Sequence, residues 1–202
     1  MTPEPTARLW YVAYGSNLSA SRFRHYLRGG RPPGSRRTYP GCRDRRDPER
    51  TAALVIAGRL YFTGSSATWG GGTAVLDPSA PGEVPAMAYL LRPGQLADVL
   101  AQEMGREPGT DLDLPALARD GRHRLGPGRY ETVVRIGTLD GMPLLTLTAH
   151  RWDAAPLNRP SEAYLSTMAT GLRQGHGWDS ERIRSHLATI AGAQPPSRRA
   201  TP

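Results

Sequence analysis

Leu9-Trp10-Tyr11-Val12-Ala13-Tyr14-Gly15-Ser16-Asn17-Leu18 reads as an apolar strand that runs into a turn and then a helix. Gly15 lets the backbone turn tightly and approach a ligand, and the helix that follows starts with N–H groups that have no intrahelical partner. Such groups can grip a carboxylate or an oxyanion. Ser16 and Asn17 can contact that ligand, or Asn17 or Ser19 can simply cap the helix. These ten residues alone leave both readings open.

Outward from this stretch, residues 19–27 carry Phe23, Tyr26 and Leu27 at helical spacing, and Gly29-Gly30 with Pro32-Pro33 end the helix. A long arginine-rich connection follows. Residues 54–62 alternate as a strand, 64–72 form a glycine-rich loop around Trp69, and 73–77 make a short strand closed by Pro78. Residues 84–91 are another strand. A helix is expected over 93–104, with Pro93 in its first turn and Gly105 as its stop. Asp140-Gly141 is a preferred two-residue hairpin turn between Tyr130–Ile136 and Leu144–Thr148. Two helices close the chain, one over 161–174 capped by Ser161 or Asn158 and ended by Gly175, the other over 179–191 with Asp179 as its cap. Strands with helices between and after them predict an α+β fold with a mixed sheet, curled into a small, partly closed β-barrel with flanking helices.

With 202 residues the chain is long enough for one domain, expected over 9–192, with polar, proline-rich flexible tails at 1–8 and 193–202. No apolar run approaches the roughly 20 residues of a membrane span, and nothing resembles a signal peptide, so a cytoplasmic location without membrane contact is expected. A lone cysteine, Cys42, excludes an internal disulfide and fits a reducing compartment. The net charge of +8 raises polyanions as partners. Nucleic acid is nevertheless not the expected partner. All the basic residues are arginine, and those between Arg22 and Arg50 are interleaved with Asp44, Asp47 and Glu49, as in a solvated, salt-bridged loop. The oligomeric state is not legible.

On the helix from Pro93, the apolar positions Leu96, Val99 and Leu100 project to Glu103. A buried carboxyl there has a raised pKa and can serve as general base and acid. The alternative is a glutamate at a frayed end that reaches water or pairs with Arg106. Tyr164 can offer its hydroxyl to a cavity or be packed in the core. The histidines are scattered without metal-binding spacing, so no metal site and no cofactor are expected, and a metal-dependent deacetylase finds no histidine and aspartate set. Ser16 lacks the Gly-x-Ser-x-Gly setting of a hydrolase nucleophile. Cys42, among arginines in what reads as an exposed loop, is an unsupported nucleophile.

Taken together, Tyr11-Val12-Ala13-Tyr14-Gly15-Ser16-Asn17-Leu18, Gln102-Glu103 at a helix end, and Pro160-Ser161 followed by Tyr164 resemble the gamma-glutamylcyclotransferase family over about residues 9 to 175. The resemblance implies a small mixed barrel with surrounding helices. It implies that Tyr14, Gly15, Ser16, Asn17 and Leu18 with Tyr164 bind a γ-glutamyl small molecule, and that Glu103 is the general acid/base of a metal-independent acyltransferase or lyase releasing 5-oxoproline and an amine. Departures over 31–50, 70–72 and 106–128 look like an actinobacterial subgroup and are expected to shape the acceptor side. Amide hydrolysis by the same glutamate, or anion binding without turnover, are the alternatives.

Overall fold

Five consecutive buried residues make β1 (Leu9–Ala13) an inner strand of the main sheet. An unbroken apolar run of this kind suits a strand covered on both faces. In this computed structural model, which describes residues 8–192 apart from 129, 152, 154 and the side chains at 115 and 118, β1 is flanked by two longer strands. It pairs antiparallel with β5 (Glu83–Leu91) and parallel with β8 (Met142–Thr148). β2 (Arg50–Ala57) adds to the other edge of β5, while β7 (Thr132–Leu139) and β6 (Arg122–Arg124) extend the sheet beyond β8. The strand order is β2-β5-β1-β8-β7-β6. The β7–β8 turn is the expected one, with Asp140 (φ 51°) and Gly141 (φ 75°) both left-handed.

The single strand expected over 54–62 is in fact two. At Gly58, φ is +129° and an added Cβ would lie 2.7 Å from the Asp77 carbonyl oxygen, so the chain leaves the main sheet and enters a second one. That second sheet pairs β3 (Arg59–Thr63) with β4 (Thr73–Asp77). Among the described residues no ladder joins β4 to the main sheet. Instead the Thr148 hydroxyl donates to the Leu76 carbonyl (2.7 Å) and accepts from the Leu76 N–H (3.1 Å). The architecture is α+β, mostly sheet at its core with flanking helices, and the barrel is left unclosed.

A short 3₁₀ turn (Ser16–Leu18) leads into α1 (Ala20–Arg28), whose cap is Ser19, its hydroxyl accepting from the Arg22 N–H at 3.4 Å. α2 (Pro93–Glu103) begins with proline and is buried almost all round, including its polar residues. Gln102 donates to the Tyr26 carbonyl at 3.0 Å, and Asp98 accepts from the Arg43 N–H at 2.8 Å and pairs with its guanidinium at 3.0 Å. Burial of those groups is tolerated because each is paired. Two elements unexpected from sequence, α3 (Leu114–Asp120) and β6, occupy the stretch 106–128.

α4 (Glu162–His176) runs past Gly175 and ends at the left-handed Gly177 (φ 66°). Gly175 lies within the helix and faces Met87, whose sulfur an added Cβ would approach to 2.5 Å, so glycine there serves packing and the stop falls to Gly177. α5 (Ser180–Ala191) is capped by Asp179 as expected. Of the expected tails, 1–7 and 193–202 lie outside the described residues, while Arg8 pairs with Glu49 at 2.8 Å. In the arginine-rich segment Arg28 pairs with Asp47 (2.7 Å) and Arg46 with Asp44 (2.5 Å). Cys42 corrects its reading as exposed. It is buried, its thiol points at the Tyr26 carbonyl (3.3 Å), and burial pushes its pKa up to about 12. Among the described residues no helix is long and apolar enough to cross a membrane.

Candidate active site

The end of β1 and the end of α2 meet at a cavity of about 210 Å³. Tyr14, Gly15, Ser16, Asn17, Glu103 and Tyr164 all line it. Glu103 is the last residue of α2, and its Oε1 accepts hydrogen bonds from Asn17 Nδ2 (2.7 Å) and from the Tyr11 hydroxyl (3.0 Å). The pairing with Arg106 is not made, because Arg106 is held by Glu131 at 2.8 Å. Burial raises the Glu103 pKa above the usual carboxyl value, offset in part by the nearby Arg22 charge, by hydrogen bonds from Tyr11 and Tyr26, and by Arg37. A carboxyl so placed holds its proton more readily than a free one and faces the cavity, where it can pass that proton to a ligand.

Asn17 does not cap the helix; Ser19 does. Its side-chain nitrogen is committed to Glu103, which leaves Oδ1 buried with no donor among the described residues. An orphaned buried acceptor beside a carboxylate suits a cationic ligand group such as an ammonium. The Tyr89 hydroxyl fixes the Asn17 backbone by donating to its carbonyl at 2.7 Å. Tyr14 donates to the Leu147 carbonyl at 2.7 Å and shares a hydrogen bond with the Tyr130 hydroxyl at 2.9 Å, which orients the wall next to the turn.

Tyr164 stands at the start of α4, whose cap Ser161 accepts from the Tyr164 N–H at 3.2 Å. Its ring stacks on Trp69 (centroids 6.1 Å apart) and meets Phe62 edge-on (5.8 Å). Burial pushes its pKa up to about 12. A Cβ on Gly15 would lie 2.6 Å from this hydroxyl. Glycine at 15 and tyrosine at 164 are therefore one fitted pair. Gly72 has a similar reason, since a Cβ there would run into the Asn158 carbonyl and displace the segment that leads into α4.

Leu18 does not line the cavity. It is buried with its backbone against Gly171 of α4 and serves packing. Several lining residues escaped the sequence reading: Tyr11, Arg22, Tyr26, Arg37, Tyr130 and the loop from Ser65 to Trp69. Two signals could have found some of them. Tyr11 shares a strand face with Ala13 and points toward Gly15 by period two, and Arg22 lies one helical turn before Tyr26. Among the described residues no group of three or more His, Cys, Asp or Glu side chains is placed to hold a metal ion.

No family model matches the chain. Among curated proteins it is similar to Histone deacetylase 5 of Arabidopsis thaliana, 30% identical over 198 residues, a match covering 89% of this chain. The chain spans only 30% of the length of that relative. Among solved structures it resembles a gamma-glutamyl cyclotransferase with a TM-score of 0.55 and 19% identity, covering 96% of this chain and 92% of the other. A crystal structure of an uncharacterized protein from Homo sapiens aligns with a TM-score of 0.52 and 20% identity, again over 96% and 92% of the two chains. At such identities the likeness speaks for architecture, and on that ground the chain has the gamma-glutamyl cyclotransferase fold.

Proposed function

We propose that the chain belongs to the gamma-glutamylcyclotransferase family, in an actinobacterial subgroup, and that it releases 5-oxoproline and an amine from a small γ-glutamyl amide in the cytoplasm. The single observation that carries this reading is the Glu103 carboxyl, held by Asn17 and Tyr11 against the Gly15–Asn17 turn, with its pKa raised by burial. In the reaction Glu103 takes a proton from the α-ammonium of the glutamyl group, with Asn17 Oδ1 as a second acceptor for that nitrogen. The freed amine attacks the γ-carbonyl carbon of the same molecule. The carbonyl oxygen gathers negative charge that backbone N–H groups of the turn stabilise. The tetrahedral centre then collapses, the bond to the leaving nitrogen breaks, Glu103 returns its proton to that nitrogen, and the regenerated carboxylate takes the ring nitrogen's second proton and passes it to the amine, which departs as an ammonium.

Nucleophile and electrophile belong to one substrate, so holding it folded supplies much of the rate and the step calls for neither metal nor cofactor. The test offers the purified protein a panel of γ-glutamyl amino acids and γ-glutamylamines while 5-oxoproline is measured, with Glu103→Gln as the control that abolishes turnover. Free glutamate in place of 5-oxoproline would identify hydrolysis. Full activity in the variant would remove Glu103 from the chemistry.

A further inference from the structure

Two guanidinium groups share the cavity with Glu103, and the proposed reaction uses neither. Arg22, on α1, is 4% exposed. Its Nη2 donates to the Tyr39 hydroxyl at 2.6 Å, and the group lies over the rings of Tyr26 (4.7 Å), Tyr39 (4.5 Å) and Trp69 (5.6 Å). Nε and Nη1 are buried with no acceptor among the described residues. Arg37 enters the same cavity from the arginine-rich loop, its guanidinium over the Tyr39 ring at 5.0 Å. Among the described residues no carboxylate lies within 4.0 Å of either arginine. Most other arginines near them have been given a partner, whereas this buried one has been given aromatic faces.

A buried cation is costly unless an anion pairs with it, and ring faces recover only part of that cost. Among the described residues the charges lining the cavity are Arg22, Arg37 and Glu103, so with Glu103 ionised these residues leave it with one uncompensated positive charge. A γ-glutamyl group carries an ammonium and a carboxylate and leaves that surplus unmatched. One further anionic group on the rest of the substrate would match it. A second cavity of about 610 Å³ also has Arg22 and Trp69 in its wall, which gives the remainder of such a substrate room beside the same arginine.

We propose that Arg22 and Arg37 form a receptor for an anionic group on the leaving-amine half of the substrate, and so select γ-glutamyl amino acids or peptides with a free carboxylate over γ-glutamylamines without one. The inference rests on the γ-glutamyl reading above. It is tested by comparing γ-glutamylalanine with γ-glutamylethylamide, which differ by that carboxylate alone, on the wild type, Arg37→Gln and Arg22→Lys. The wild type prefers γ-glutamylalanine in kcat/KM by about tenfold or more, as expected of a charge-assisted contact, and Arg37→Gln narrows that preference by about fivefold or more. Arg37 is only half-buried, so its variant keeps the test open if substitutions at Arg22 fail to fold. Equal use of both substrates by the wild type, or an undiminished preference in both variants, would overturn the proposal. If neither compound is turned over, the γ-glutamyl reading is what has failed, and calorimetric titration with acetate judges the receptor separately. Binding that weakens about tenfold in Arg37→Gln supports it, and absent or unchanged binding overturns it.

Discussion

Gly15→Ala puts a methyl group where the Tyr164 hydroxyl already stands. The added Cβ lies 2.6 Å from that oxygen and 3.5 Å from the Ala74 Cβ, so the second contact is ordinary and the first is not. The ring must therefore retreat from the position in which it stacks on Trp69 and meets Phe62. Overpacking of a tight site costs about 1–3 kcal/mol, so the variant should lose about that much stability. Tyr164→Phe removes the obstructing oxygen and leaves the ring's stacking on Trp69 in place. The double variant should thus be less destabilised than the sum of the two single variants, with a coupling of about 1–2 kcal/mol. Urea denaturation of the four proteins measures this directly. A loss below about 0.5 kcal/mol in Gly15→Ala, or strict additivity in the cycle, would show that the hydroxyl is not fitted to Gly15 and that the reasoning from their contact is wrong.

Other outcomes follow from the same geometry. Glu103→Gln should be more stable than the wild type at neutral pH: folding raises the Glu103 pKa, so the wild type loses stability as pH climbs from the ordinary carboxyl range through the raised value. Melting temperatures of the two proteins should converge below that range and separate above it, and a constant gap would contradict the shift. Tyr11→Phe removes a hydrogen bond that lowers the Glu103 pKa, so the acid limb of the kcat/KM profile should move to higher pH; a shift to lower pH would refute the assignment. Cys42, with its thiol pKa near 12 and its side chain buried, should resist iodoacetamide at pH 8 in the folded protein and react only on denaturation, as read by mass spectrometry.

The parts of the site that were legible in the sequence are those where local chemistry dictates position. Gly15 follows an apolar strand, Glu103 continues the apolar face of a helix, and Tyr164 follows a capping serine. The strand and helix signals placed β4, β5, α2 and the β7–β8 hairpin because each is bounded by a residue with its own backbone preference, such as Pro93 or Asp140-Gly141. Arg22 shows only its spacing from Tyr26 in the sequence, and its burial is not legible there for the opposite reason. Its burial depends on Tyr39 and Trp69, which arrive from segments far along the chain, and nothing in the periodicity of α1 announces them. Cys42 was misread likewise, since its cover comes from α2 and from the Tyr26 backbone. The break at Gly58 was missed because an alternating pattern continues through it, while the obstruction that demands glycine lies on β4.

One side of the cavity, from Ser65 to Trp69 and on to Thr73, is carried by the β3–β4 hairpin. Where that hairpin meets β8, one threonine hydroxyl stands in for a ladder. Pulling the hairpin away at this seam breaks two hydrogen bonds of a single side chain, whereas parting β1 from β5 would break a whole strand's worth of them. Local openings are drawn from the least costly seams of a fold, so the β4–β8 seam should part before the β1–β5 ladder does. Amide exchange at Leu76 should therefore run ahead of exchange in β1, and its rate should fall when a ligand closes the cavity from within.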